Sequence, residues 1–157
     1  MNKVYLFDWG DTLMVDSPEQ SGKMCDWETV QTVNGATQAL RTLSTNHKVY
    51  VATNAADSSE VDIKSVFERV GLAQYISGYF CQSTLGIGKG TLAFFHKIID
   101  QLGVAPHSII MVGDNYDNDI APAVRAGIQG IWFNPKHTRV QVAKEVRQIH
   151  QLSELCG

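Results

Sequence analysis

The sequence lacks a long apolar run, a block of like charge and a cysteine framework. No apolar stretch approaches the length that spans a bilayer, so no membrane partner is expected. The chain has 13 Lys and Arg residues against 16 Asp and Glu residues, which gives a net charge of −3. It contains no polybasic stretch, so no nucleic-acid partner is expected. Its three cysteines are scattered without metal-ligand spacing, which indicates reduced thiols.

The composition that is present is that of one globular domain. Hydrophobic residues make up 44% and charged residues 18% of the 157 residues, both ordinary values. Strand-like sequence begins at the third residue and leaves no room for a signal peptide. We therefore expect a single domain over residues 1–157, located in the cytoplasm.

Short apolar runs alternate with segments of helical spacing along the whole chain. This alternation predicts βαβ units, and hence an α/β fold in which helices cover both faces of a parallel sheet. The predicted strands are 4–7, 49–52, 79–81, 109–112 and 131–133, and the predicted helices are 35–45, 61–70, 92–102, 119–126 and 140–149.

Polar residues follow three of these strands directly. Asp8 follows the first strand, Thr53 and Asn54 follow the second, and Asp114 follows the fourth. In a parallel sheet the carboxyl ends of the strands meet at one edge, where ligands bind. The chemistry of this set is that of phosphoryl transfer. A carboxylate such as Asp8 can attack phosphorus, oxygen ligands can hold a divalent cation, and hydroxyl, amide and lysine groups can bind phosphate oxygens.

Four motifs in order resemble those of the haloacid dehalogenase-like superfamily of hydrolases over nearly the whole chain. They are Asp-Trp-Gly-Asp-Thr-Leu at 8–13, Val-Tyr-Val-Ala-Thr-Asn at 49–54, Gly-Ile-Gly-Lys at 86–89, and Gly-Asp-Asn-Tyr-Asp-Asn-Asp at 113–119. The resemblance implies a three-layer Rossmann-like sheet of five core strands in the order 3-2-1-4-5.

The resemblance also implies a role for each motif residue. Asp8 would be the nucleophile that forms an aspartyl-phosphate, and Thr53 would bind the phosphate with help from nearby backbone amides. Lys89 would neutralise the phosphoryl group. Asp8 and Asp114 would hold Mg²⁺, while Asp119 would hold the water shell of the metal or orient Lys89.

The first motif departs from the pattern of the family. Relatives carry a second aspartate two residues after the nucleophile, where this chain has Gly10, and the next acid is Asp11. In relatives that aspartate protonates the leaving oxygen, and its backbone carbonyl binds the metal. Gly10 keeps the carbonyl, so we expect metal binding to survive. Loss of acid–base help costs roughly 10²–10⁴-fold in rate. Unless Asp11 substitutes, this favours acyl or aryl phosphates as substrates.

A second departure is the absence of a cap domain. Residues 14–34 are predicted to form only a short loop or flap, with Trp27 in the core and Asp16 in a turn. An open cleft would suit a bulky phosphorylated substrate, or a second copy of the chain acting as a lid in a homo-oligomer. Two other functions fit the sequence: a non-catalytic module that binds metal and phosphate, and a dehalogenase that needs no metal.

Overall fold

Six parallel strands form one sheet at the centre of the molecule. The computed structural model describes residues 3–16, 20, 22–53, 58–88 and 90–156, with residues 83 and 84 described by their backbone alone. The strand order is β3-β2-β1-β4-β5-β6. The strands are β1 (Val4–Phe7), β2 (Lys48–Ala52), β3 (Gly78–Phe80), β4 (Ile109–Gly113), β5 (Gln129–Phe133) and β6 (Arg147–Ile149).

Strand β1 lies at the centre because its side chains are apolar on both faces. It pairs in parallel with β2 on one side and with β4 on the other. Phe7 packs into the core on one face of the sheet, while Val4 and Leu6 pack into the core on the other face. A strand buried on both sides reads as a continuous apolar run, as this one does.

Helices cover both faces of the sheet, which confirms the predicted three-layer arrangement. Helices α1 (Ala36–Ser44) and α2 (Glu60–Arg69) pack on the face that contains Phe7. Helices α4 (Leu92–Leu102) and α5 (Ala121–Arg125) pack on the opposite face, and a short helix α3 (Gln82–Leu85) follows β3. The predicted helix over residues 119–126 corresponds to α5 (Ala121–Arg125), and a π-helical turn, Tyr116–Ile120, leads into it.

The prediction of a helix over residues 140–149 is wrong. This segment ends in strand β6, whose Ile149 is fully buried and pairs with Phe133 of β5. Two physical effects favour the strand. Its Ile149 is β-branched and suits a pleated surface. In addition, β5 would otherwise present an open edge of unpaired backbone groups. The predicted core order 3-2-1-4-5 is confirmed, and β6 adds a sixth strand beside β5.

The segment after β1 folds back across the edge of the sheet. Met14 forms isolated bridges with Gly10 and Thr32, and a 3₁₀ turn spans Met24–Asp26. Trp27 is 8% exposed and belongs to the core, as predicted. In the part of the chain that the structure describes, no helix has both the length and the apolar character that a bilayer crossing requires.

Candidate active site

A cleft of about 470 Å³ opens at the carboxyl ends of β1 and β4. Six of the residues predicted for the site line it together: Asp8, Gly10, Asp11, Thr53, Asp114 and Asp119. The other two predicted residues, Asn54 and Lys89, lie outside the described residues. Since β1 and β4 are neighbours in the sheet, the carboxylates that follow them are brought face to face.

Three carboxylates converge at the floor of the cleft. One oxygen from each of Asp8, Asp114 and Asp119 lies within 4.8 Å of the others. Asp8 is 8% exposed and Asp119 is 1% exposed, so two of the three are almost fully buried. The backbone N–H of Asp8 donates to the carbonyl of Val112 at 2.9 Å, which extends the pairing of β1 with β4 up to the site.

The π-helical turn fixes Asp119 in this cluster. The Asp119 N–H donates to the carbonyl of Asn115 at 2.8 Å, and the Asn115 N–H donates back to Asp119 Oδ2 at 3.2 Å. The Asp119 side chain packs against the Cα of Gly113. A Cβ on residue 113 would lie only 2.7 Å from Cβ and Cγ of Asp119. Glycine is therefore the residue that lets the acid approach the end of β4.

Thr12 is a site residue to which the sequence analysis gave no role. Its hydroxyl lies 3.0 Å from Asp8 Oδ2 and 3.2 Å from Asp114 Oδ1, and the residue is fully buried. The backbone turn after Asp8 brings it there, because the N–H groups of Leu13 and Met14 both donate to the carbonyl of Trp9 at 3.0 Å. Its place in the first motif was the available signal, but contact with Asp114 depends on the path of this turn.

The cluster is electrostatically strained without a cation. Burial, contact with Asp8 and the negative charges of Asp8, Asp119 and Asp11 together raise the pKa of Asp114 to about 8. Hard carboxylate oxygens at this spacing are the ligands that Mg²⁺ prefers. A divalent cation would also relieve the repulsion that raises the pKa of Asp114. The residues present therefore fit a magnesium ion, with Asp8, Asp114 and Asp119 as its side-chain donors.

The rim of the cleft carries two further acids. Asp11 has a positive φ of 60°, and its Oδ1 accepts a hydrogen bond from the Asp16 N–H at 3.0 Å. The turn after β1 covers residues 11–13, and Asp16 lies beyond it in irregular backbone, where it lines the cleft. Partial burial and the charges of Asp11 and Asp8 raise the pKa of Asp16.

The cleft also contains polar groups that can face an anion. Thr53 is 4% exposed, and its N–H donates to the carbonyl of Phe80 at 2.9 Å, which places it at the end of β2. Lys23 also lines the cleft, and its Nζ forms an ion pair with Asp62 Oδ2 at 3.2 Å.

A second cavity of about 830 Å³ adjoins the first. Asp11, Asp16 and Asp114 line both cavities, so these three residues stand at the boundary between them. Trp132 and Phe133 form an apolar, aromatic wall of the second cavity. The Trp132 Nε1–H donates to the carbonyl of Asp114 at 2.9 Å and so links this wall to the residue that follows β4.

Comparison with known proteins assigns this fold and site to a family. Residues 8–127 match the family model described as haloacid dehalogenase-like hydrolase. A pyrimidine 5'-nucleotidase from Streptococcus pneumoniae is 30% identical over 128 residues, which are 78% of this chain and 53% of that protein. A pyrimidine 5'-nucleotidase from Escherichia coli is 26% identical over 126 residues, which are 77% of this chain and 55% of that protein.

The fold comparison agrees. A crystal structure of an uncharacterized protein from Listeria monocytogenes superposes with a TM-score of 0.84 at 22% identity, covering 97% of this chain and 93% of that one. The chain spans about half the length of the two nucleotidases that it matches. From the matched motifs, the parallel sheet and the acidic cleft, the chain belongs to the haloacid dehalogenase-like hydrolases.

Proposed function

We propose that this chain hydrolyses phosphate monoesters through a covalent aspartyl-phosphate on Asp8. The observation that supports this most directly is the convergence of Asp8 with Asp114 and Asp119 within 4.8 Å at the floor of an open cleft. One carboxylate is needed as a nucleophile, and the others are needed to hold a cation that offsets the charge of the phosphate. The two nucleotidase relatives support the choice of phosphate monoesters as the substrate class.

The proposed reaction has two displacements at phosphorus. An oxygen of Asp8 attacks phosphorus, and the bond between phosphorus and the leaving oxygen breaks. Water then attacks phosphorus of the acyl phosphate, which releases inorganic phosphate and restores the carboxylate. Thr12 donates to Asp8 Oδ2 and so would orient the nucleophilic carboxylate. Thr53 would donate to a phosphate oxygen, and the sequence assigns Asn54 and Lys89 to the same task.

Mg²⁺ would be held by Asp8, Asp114, Asp119 and the backbone carbonyl of Gly10, and when bound it would neutralise charge on the phosphate oxygens. Two of these residues can be tested separately. Asp119→Asn should weaken Mg²⁺ binding in calorimetry without removing the nucleophile. Asp8→Asn should abolish turnover, because an amide does not attack phosphorus.

The deciding experiment measures hydrolysis of p-nitrophenyl phosphate and of a pyrimidine nucleoside 5'-monophosphate with Mg²⁺ or with a chelator. Wild type should turn over only with Mg²⁺, and Asp8→Asn should be inactive. Asp117→Asn is the matched control, because Asp117 is an exposed acid of the same loop that does not line the cleft. Acid-quenched wild type should carry one phosphate on Asp8 by mass spectrometry, and Asp8→Asn should carry none.

Gly10 supports one other function, that of a non-catalytic module. An acid at position 10 would help proton transfer, and this chain has none there. That alternative predicts binding of Mg²⁺ and of a phosphate analogue by the wild type with no turnover of either ester. Activity without Mg²⁺ on a halogenated acid would instead indicate a dehalogenase.

A further inference from the structure

The proposed reaction on an alkyl ester needs a proton donor near the leaving oxygen. An alkoxide is a poor leaving group, and proton transfer from a positioned side chain accelerates its departure. Among the described residues of the cleft, Asp8, Asp114 and Asp119 form the buried cluster, and Lys23 is paired with Asp62. The acids that are left are Asp11 and Asp16.

Asp16 occupies the space in front of Gly10. A Cβ built on Gly10 would lie 3.6 Å from both Cβ and Oδ2 of Asp16 and 3.9 Å from its Cγ. These are ordinary van der Waals distances, so the Asp16 carboxylate stands where a side chain on residue 10 would point. Residue 10 is only two positions after the nucleophile. An acid supplied from further along the chain thus stands in the place left vacant by the glycine.

Asp11 has a different role in the same loop. Its Oδ1 accepts the Asp16 N–H at 3.0 Å, and this bond closes the turn that carries Asp16 over Gly10. The positive φ of 60° at Asp11 is a conformation that Asp and Asn adopt more readily than most residues. Asp11 is therefore a positioning residue, and Asp16 is the residue that it positions.

The two cavities place Asp16 where a leaving group would depart. The first cavity contains the nucleophile and the acidic cluster, so it would hold the phosphate. The adjoining cavity has aromatic and polar walls and is large enough for the rest of a small-molecule ester. Asp16 lines both. An ester that extends from one cavity into the other would place its bridging oxygen at the boundary where Asp16 lies.

We infer that Asp16 is the general acid and base of this enzyme, in place of an acid at position 10. This inference rests on the proposed function. As the bond between phosphorus and the leaving oxygen breaks, the Asp16 carboxyl gives its proton to that oxygen and becomes a carboxylate. The carboxylate then takes a proton from the water that attacks phosphorus of the Asp8 acyl phosphate. Asp16 is thereby reprotonated, and phosphate leaves.

The test compares esters that differ in their need for a proton. Asp16→Asn should lower kcat on an alkyl phosphate by ~10²–10⁴-fold and on p-nitrophenyl phosphate by less than about tenfold, because the aryl oxide leaves without help. Asp11→Asn keeps an acceptor for the Asp16 N–H, so its loss on the alkyl ester should be smaller than that of Asp16→Asn. Asp117→Asn is the exposed control and should match wild type on both esters.

A second variant separates proton transfer from damage to the loop. Gly10 does not have a positive φ, so Gly10→Asp is compatible with its backbone. In the double variant Gly10→Asp with Asp16→Ala, the space in front of residue 10 is vacated, so the new carboxyl should recover at least about tenfold of the alkyl phosphatase activity that Asp16→Ala alone loses.

The outcomes distinguish this inference from the proposed function. If wild type hydrolyses both esters and Asp8→Asn is inert while Asp16→Asn equals wild type, the role of Asp16 is overturned and the phosphatase stands. An equal loss on both esters, or a larger loss in Asp11→Asn than in Asp16→Asn, also overturns it. If neither the wild type nor any variant hydrolyses either ester, the proposed function fails and this inference fails with it.

Discussion

The floor and the rim of the cleft are built in different ways. The floor consists of Asp8, Thr12, Asp114 and Asp119, which follow the two central strands or the turns directly attached to them. Its groups are mostly buried and are held by hydrogen bonds to one another. The rim consists of Gly10, Asp11, Asp16 and Lys23, which lie outside the strands and helices. The hydrogen bond between Asp16 and Asp11 and the ion pair of Lys23 are accessible to solvent.

This difference teaches where the site can change without loss of the fold. Moving a floor residue displaces a neighbouring carboxylate or opens the core beneath it, so the cation-binding half is tied to the stability of the sheet. A rim residue can be replaced by another that reaches the same space from a different point of the loop. Asp16 in front of Gly10 is such a case. The position of a rim residue therefore depends on the path of its loop, whereas the position of a floor residue depends on the order of the strands.

The strongest way to break the floor is Gly113→Ala. The added Cβ would overlap the Asp119 side chain and push it out of the cluster. We expect a loss of about 1–3 kcal/mol in the free energy of unfolding, as for overpacking elsewhere, and a roughly 10–100-fold weaker affinity for Mg²⁺. Calorimetric titration with Mg²⁺ and urea unfolding measure the two effects.

Gly103→Ala is the matched control for that variant. Gly103 ends α4 with a φ of 65°, and a Cβ there meets no atom within 4 Å. Alanine at a positive φ should cost stability of about 1 kcal/mol but leave the affinity for Mg²⁺ unchanged. If Gly113→Ala bound Mg²⁺ as tightly as Gly103→Ala does, Asp119 would not belong to the metal site.

The dependence of stability on pH tests the charge repulsion at the floor. The folded pKa of Asp114 is raised to about 8 from an ordinary value of 3.8. Between these pH values the unfolded chain binds fewer protons than the folded chain, so the metal-free protein should lose stability as the pH rises from 4 to 8. Mg²⁺ should therefore stabilise the folded protein more at pH 8 than at pH 5. We expect this difference to be on the order of 1–2 kcal/mol in the free energy of unfolding, or roughly 2–8 °C in Tm.

Thermal melts with Mg²⁺ and with a chelator at both pH values measure this effect. Asp114→Asn is the informative variant, since the neutral amide removes the titrating group. It should flatten the pH dependence of the metal-free protein, while Asp117→Asn should leave that dependence intact. A Tm of the metal-free protein that rises steadily from pH 5 to pH 8 would contradict the raised pKa.

Thr12→Val is a milder test of the floor. Valine has nearly the same shape but cannot donate to Asp8 or Asp114, so the two carboxylates lose one shared donor. We expect kcat with Mg²⁺ to fall about tenfold, the equivalent of about 1.4 kcal/mol. Thr12→Ser keeps the hydroxyl and should recover most of the activity. Equal rates for the valine and serine variants would mean that the hydroxyl has no part in the site.

The sequence was sufficient to bring Asp8 and Asp114 together because their positions follow from strand order. Asp8 and Asp114 each come directly after an apolar run, and parallel pairing of the two central strands brings such residues together. Thr12 and Asp16 were harder to place because their positions depend on how the loop after β1 turns, and no periodic pattern records that path. Strand β6 was missed for a related reason, since pairing with the edge of β5 outweighs the helical spacing of the apolar residues in the segment 140–149.

The smallest effect is expected from the ion pair at the rim. Lys23 Nζ contacts Asp62 Oδ2 at 3.2 Å, but both side chains are solvent-accessible, so the pair is screened by salt and adds little to stability. Asp62 also forms a capping box with Ser59 at the start of α2, and Lys23→Gln leaves that box intact. The urea midpoint of Lys23→Gln should therefore stay close to that of wild type at both low and high salt. Ser59→Ala, which removes the cap, should lose about 1 kcal/mol. A larger loss in Lys23→Gln than in Ser59→Ala would show that the rim is held as firmly as the floor, and the contrast between the two halves of the cleft would no longer hold.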